Sequence, residues 1–234
     1  MTSRHLVVMR HGETDDNAAG IWQGHRDSRL SATGREQARL AAPVVAALRP
    51  SVVVSSDLRR AADTADAVAA RLGVPVTRDA RLREIDVGRW GGRTAAEVRE
   101  SDPATLLALS KGIDARRGHS GETVAELALR ARAAADEVVA ALAPGQTGLI
   151  VCHGITSRAL VASLVGLDQM QAGRVLRGLD NCHWARVSEA GRAGGDAGPP
   201  PWRIEQWNIG GGAVADEPAA SWSPTDLGGG HANG

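Results

Sequence analysis

Phenylalanine and tyrosine are both absent from the 234-residue chain, which leaves six tryptophans as its only large aromatics. A core built without them has to be aliphatic, drawn from Val, Leu, Ile and Ala. Lysine occurs once, at Lys111, so nearly all positive charge is arginine. The 27 basic side chains are matched by 27 acidic ones, for a formal net charge of zero. A broad nucleic-acid or anionic-membrane footprint shows as a basic excess, so neither partner is expected. A local anion site needs only a few arginines and stays open. Two cysteines, Cys152 and Cys182, exclude a disulfide framework and leave room for a single bridge. No apolar run approaches the roughly 18 residues of a membrane-spanning helix. The opening MTSRHLVVMRHGET has only a short apolar stretch and no signal-peptide pattern, so the cytoplasm is expected.

What is present alternates between strands and helices. Arg4 to Met9 reads as a short buried strand that breaks at His11-Gly12. Thr33 and Glu36 have capping-box spacing before a helical run in which Pro43 predicts a kink. Val52–Ser55 reads as a strand, Leu58–Leu72 as a helix stopped by Gly73, and Val74–Thr77 as a third strand. Thr94 and Glu97 repeat the capping-box spacing. Glu122 to Leu142 reads as a long helix, Gly148–Cys152 as a fourth strand, and the run from Thr156 to Leu167 as a further helix. His183–Ser188 and Arg203–Trp207 alternate like a late hairpin, joined by a Gly- and Pro-rich loop at 191–201. This order predicts an α/β fold: a three-layer α/β/α sandwich on a mixed, mostly parallel sheet, with ligands bound beyond the carboxyl ends of the strands. One domain is expected over 1–209, with a helical cap over 93–145 and a Gly- and Pro-rich tail over 210–234.

Four strand ends carry chemistry. The first leads into Arg10-His11-Gly12, and the fourth ends likewise in Cys152-His153-Gly154. In a parallel sheet the two histidines arrive at one rim. The second strand ends in Ser-Ser-Asp-Leu-Arg59-Arg60 at a helix start, where one arginine points along the rim and the other is solvated. The third leads to Glu84, with Asp86 as its competitor on period-two spacing. Phosphoryl transfer needs a nucleophile, cations around the phosphoryl oxygens, and a proton donor for the leaving alkoxide.

These residues resemble the histidine phosphatase superfamily, in its phosphoglycerate mutase-like branch. The matching motifs are RHGET (10–14), Asn17, the run from Trp22 to Ala38, SSDLRRAADTA (55–65), LREIDVGRWGG (82–92), GET (121–123) and VCHG (151–154). The resemblance implies His11 as nucleophile. It implies Arg10, Arg60 and His153 on the phosphoryl oxygens, and Glu84 as general acid and then base. Asn17, Gln23, Gly24 and Gly154 would contact substrate. It implies no cofactor and no metal, the small phosphorylated substrate being held by arginine and histidine. Glu84-Ile-Asp-Val-Gly is similar to the phosphatase rather than the mutase pattern of the superfamily. The run Asn181-Cys-His-Trp184 with Trp202 to Asn208 is similar to actinobacterial glucosyl-3-phosphoglycerate phosphatases. Packing in the core is the plainer use of Trp184 and Trp207. Specificity is expected in the cap, at Trp22, Trp90, Leu106 or His119, with His25 and His183 near the mouth.

Several alternatives remain. One is a phosphoglycerate mutase, another a ribazole phosphate phosphatase, and a third a phosphoryl-binding module without turnover. A fourth lies in Cys152 and Arg158, which have the C-x5-R spacing of cysteine-dependent phosphatases. The late strands also leave room for a homodimer.

Overall fold

Leu6, Val7, Val8 and Met9 are all fully buried, on a strand whose side chains alternate between two faces. Leu6 and Val8 join one apolar cluster with Ile150, Cys152, Ala135 and Leu160. Val7 and Met9 join another with Val53, Leu149, Ala41 and Val68. A strand that is apolar on both sides needs cover on both, which is the three-layer arrangement. The core is mainly aliphatic as expected, with Trp90, Trp184 and Trp202 as its aromatic members.

The computed structural model describes residues 3–190 and 202–210. In chain order the elements are β1 (His5–Arg10), α1 (Asp15–Ala18), α2 (Ala32–Ala47), β2 (Pro50–Ser55), α3 (Arg59–Leu72), β3 (Val76–Arg78), α4 (Ala95–Ser101), α5 (Pro103–Ser110), α6 (Val124–Ala140), β4 (Thr147–Cys152), α7 (Gly154–Val165), α8 (Gln169–Val175), β5 (Trp184–Glu189) and β6 (Trp202–Ile209). The strands form one sheet in the order β3-β2-β4-β1-β5-β6. The first four are parallel. The late pair is antiparallel, β5 on β1 and β6 on β5. Helices α2 and α3 cover one face, and α6 and α7 the other. The expected α/β/α sandwich is what the chain forms. The loop expected at 191–201 and all but Gly210 of the expected tail lie outside the described residues.

Two local readings change. The N-cap of α2 is Ser31, whose side chain accepts from the Gly34 N–H, and Thr33 lies inside the helix. Pro43 lies inside helix α2 with its ring exposed at the surface. The long helix α6 begins at Val124, after a capping box made by Thr123 and Glu126. The box read at Thr94 and Glu97 is present at the start of α4. The two cysteines form no bridge: both are free and buried.

Within 93–145, helices α4 and α5 and the first half of α6 gather around Trp90, Val98, Leu106 and Leu127 in a third apolar cluster. The second half of α6 packs on the sheet through Ala131, Ala135 and Val138. Among the described residues, no helix is long and apolar enough to cross a membrane.

Candidate active site

The register of the sheet builds the site. Arg10 on β1 pairs with Cys152 on β4, so His11 and His153 leave adjacent strand ends together. Their rings meet edge to face with centroids 5.1 Å apart. Gly12 and Gly34 allow the His11 loop to touch the start of α2 backbone to backbone. A Cβ on Gly34 would lie 2.0 Å from the Glu13 carbonyl oxygen, and one on Gly12 would lie 2.5 Å from the Gly34 oxygen. The Gly12 N–H donates to Thr64 Oγ1. From the other side, Asn181 Nδ2 and the Cys182 N–H donate to the His11 carbonyl.

The tautomers of both histidines follow from their neighbours. His11 Nδ1 lies 2.6 Å from the Gly12 carbonyl oxygen, which can only accept. Nδ1 therefore carries the proton, and Nε2 keeps its lone pair. Burial, reinforced by Arg60 and then Arg10, holds the His11 pKa well below the ordinary histidine value, so the ring stays neutral. Arg60 Nε donates to His153 Nδ1 at 3.2 Å, and His153 Nε2–H then donates to Ser56 Oγ at 2.8 Å. Burial and Arg60 likewise hold His153 neutral.

Arg60 is 1% exposed, and burial lowers its pKa to about 10 against the opposing pull of Glu84. Its remaining partners are the carbonyls of Arg26 and Gly24. Of the two neighbouring arginines it is the one that enters the site; Arg59 pairs with Asp27 at the surface. Gly24 adopts φ +52°, and a Cβ there would strike Val87. Arg10 donates to the Leu179 carbonyl, while its buried Nε has no partner. Burial lowers the Arg10 pKa, again opposed by Glu84.

Glu84 sits across the start of α7. Its Oε1 accepts from the N–H groups of Ile85 and Thr156 and from Thr156 Oγ1, and its Oε2 accepts from the Ile155 N–H. The loop that carries it is tied down by Arg130 of α6. That guanidinium donates to the carbonyls of Arg81, Arg83 and Glu84 and grips both carboxylate oxygens of Glu122. Glu122 in turn accepts from the Asp86 N–H. Asp86 itself caps the Gly88 N–H, which removes it as the competitor of Glu84.

These groups face a cavity of about 400 Å³. Its wall includes Arg10, His11, Asn17, Gln23, Gly24, Arg60, Glu84 and Gly154, all expected from sequence. His153 lies behind the wall, where it fixes Arg60. Asn17 spends its side-chain oxygen on the Thr14 N–H. Gln23 donates to Thr14 Oγ1 and leaves Oε1 buried without a partner. Of the residues expected to set specificity, Trp22 lines the cavity and packs on Trp90 at 5.2 Å. Trp90 and Leu106 are core residues beneath it, and His119 pairs with Asp102. His25 reaches the Glu84 carbonyl from an exposed position, while His183 lies off the wall against the Asn181 carbonyl. Trp184 is buried in the core, and Trp207 packs partly against it while donating to the Arg177 carbonyl. Sequence reasoning gave Arg99 of α4 no role and linked Arg158 of α7 only to Cys152, yet both line the cavity. The Cys152 thiol points into the core, and burial raises its pKa, so it is not a thiolate nucleophile.

A neutral imidazole with a free nitrogen, two arginines and an anchored carboxyl group, all at the strand ends of an α/β/α sandwich, define a phosphoryl-transfer enzyme. The chain belongs to the histidine phosphatase superfamily (branch 1), whose sequence pattern matches residues 6–195. It is 41% identical over 218 residues to a glucosyl-3-phosphoglycerate phosphatase of Mycolicibacterium vanbaalenii, covering 89% of this chain and 96% of that one. A protein of Yersinia enterocolitica named Probable phosphoglycerate mutase GpmB is 35% identical over 204 residues, covering 87% and 90%. Among solved structures, a mycobacterial glucosyl-3-phosphoglycerate phosphatase complexed with VO3 superimposes with a TM-score of 0.79 at 36% identity, covering 88% of this chain and 98% of that one. The present chain is a phosphomonoester hydrolase of the histidine phosphatase type.

Proposed function

We propose that the chain hydrolyses glucosyl-3-phosphoglycerate through a phosphohistidine formed on His11. The observation that carries the chemistry is the His11 ring. Its Nδ1–H is spent on Gly12, and burial keeps Nε2 unprotonated beside Arg10, Arg60 and Glu84. Nε2 attacks phosphorus and the P–O ester bond breaks. The Glu84 carboxyl group passes its proton to the departing alkoxide. Water then attacks the phosphohistidine, Glu84 takes the water's proton, the P–N bond breaks, and inorganic phosphate leaves. Arg10 and Arg60 balance charge on the phosphoryl oxygens as the bonds exchange. His153 acts as a positioning residue: its Nδ1 accepts from Arg60 Nε while its Nε2–H is anchored on Ser56 Oγ. Asn17, Gln23 and the backbone of Gly24 and Gly154 contact the ester.

The substrate choice is supported by the likeness to the Mycolicibacterium enzyme along 96% of its length. Two buried free cysteines fit a reducing, cytoplasmic setting. A homodimer through the late strands β5 and β6 belongs to the same reading. Phosphate release is measured over glucosyl-3-phosphoglycerate, 3-phosphoglycerate, ribazole 5′-phosphate and sugar phosphates, with alkaline quenching of labelled substrate to trap the intermediate. Glucosyl-3-phosphoglycerate gives the highest kcat/KM. His11→Ala abolishes both label and turnover, and Cys152→Ser keeps both. Dominant mutase turnover with 2,3-bisphosphoglycerate, or an unlabelled His11, refutes the proposal.

A further inference from the structure

The cavity wall holds more positive charge than one phosphoryl group uses. Arg10, Arg60, Arg99 and Arg158 face it against a single carboxylate, Glu84. Arg10 and Arg60 are the arginines that act on His11, and Arg158 and Arg99 are not among the charges that do. Arg158 interacts instead with Glu84 and is repelled by Arg117. It is half-buried, and its side chain makes no hydrogen bond or ion pair with any described residue. Its fork of N–H donors is therefore unspent at the cavity wall, and that fork matches a planar anion. Arg99 stands on α4 at the exposed side of the same cavity.

We propose that Arg158, assisted by Arg99, forms a second anion subsite that takes a carboxylate on the leaving alcohol. This sets the substrate class as phosphomonoesters of hydroxy acids. One arginine pair flanks the nucleophile, and the other grips the acid of the group that departs. The inference rests on the phosphatase reading only for the choice of ligand, because its test reads binding and not turnover.

The test is calorimetry on the His11→Ala protein with 3-phosphoglycerate and with glycerol 3-phosphate, which carries CH2OH in place of the carboxylate. The unmodified wall binds the acid more tightly. Adding Arg158→Gln lowers affinity for 3-phosphoglycerate roughly 10- to 100-fold, the weight of a charge-assisted hydrogen bond, and the preference collapses. Arg158→Lys recovers part of it, and Arg99→Gln gives a smaller loss. Thermal unfolding checks that each variant is folded. An unchanged preference overturns the subsite. An equal loss for both ligands also overturns it, because Arg158 would then act through Glu84. A second pair, fructose 1,6-bisphosphate against fructose 6-phosphate, separates a carboxylate from a second phosphate. Collapse of that preference alone overturns the carboxylate assignment. If the parent enzyme hydrolyses no phosphoester, the phosphatase reading fails while this measurement still stands.

Discussion

Arg130→Met removes a cation whose every N–H donor is committed. All five N–H donors of Arg130 are used, three on the carbonyls of Arg81, Arg83 and Glu84 and two on the carboxylate of Glu122. Breaking a fully buried pair of this kind costs about 3–5 kcal/mol. Here the two side chains are 20% and 21% exposed, so water compensates part of the loss. The remainder is about 2–4 kcal/mol. For a domain of this size each kcal/mol is worth roughly 2–4 °C, so the melting temperature falls by about 5–15 °C. Activity suffers separately, because the loop that loses its anchors carries Glu84. A displacement on the order of 1 Å costs about 100-fold in rate. Thermal unfolding by circular dichroism and phosphate release well below the melting transition read the two effects. Arg130→Lys keeps the charge but has three donors for five acceptors, so it falls between wild type and Arg130→Met. A variant that melts early but turns over normally refutes the positioning argument. One that loses neither stability nor turnover refutes the energetic account of the loop as well.

Two further outcomes follow from other parts of the site. His11 and His153 both have pKa values pushed below the ordinary histidine range. Below about pH 6.5 the unfolded chain binds protons at these positions that the folded chain refuses. Each site then removes up to about 1.4 kcal/mol of stability per pH unit as pH falls, and urea midpoints taken from pH 7 to pH 5.5 show it. A His11→Asn, His153→Asn double variant flattens that slope, and an equally steep slope in the double variant counts against the buried neutral rings. Gly34→Ala drives a methyl group against the Glu13 carbonyl and displaces the loop carrying His11. It costs about 1–3 kcal/mol together with activity. Gly173→Ala, in α8 with nothing near its Cβ, is neutral or stabilising by about 0.5–1 kcal/mol. Paired melting curves that fail to separate the two variants contradict the close-approach argument.

Much of this was legible because strand ends announce themselves. Two His-Gly pairs after apolar runs, one Arg-Arg pair opening a helix and one Glu after a short strand are local patterns, and parallel pairing brings them together. What stayed hidden depends on distance in sequence. Arg130 lies 46 residues beyond Glu84, on a helix face whose spacing reads as ordinary solvated charge. Arg158 fitted a cysteine-phosphatase spacing, and only the direction of the Cys152 side chain into the core separates the two readings. The assignment of His153 to the phosphoryl group missed that Arg60 and Ser56 take both its nitrogens. Capping chemistry read well where Thr and Glu stood alone, as at Thr94. It misled where Ser31 offered a better-placed oxygen two residues before Thr33.

The loop behind His11 is itself held by the last strand of the sheet. Asn181 and Cys182 bind the His11 carbonyl, and Leu179 accepts from Arg10. That loop is fastened in turn by Asn208, which accepts from the Asp180 N–H and donates to its carboxylate, and by Trp207, which donates to the Arg177 carbonyl. The nucleophile follows β1 while its brace stands on β6, so the two meet only once β5 and β6 have been added beside β1. A molecule in which β6 has opened keeps β1 paired with β4, yet it lacks the brace that sets Arg10 and His11. Local opening of β6 therefore reaches the nucleophile before it reaches the core, and activity falls ahead of global unfolding.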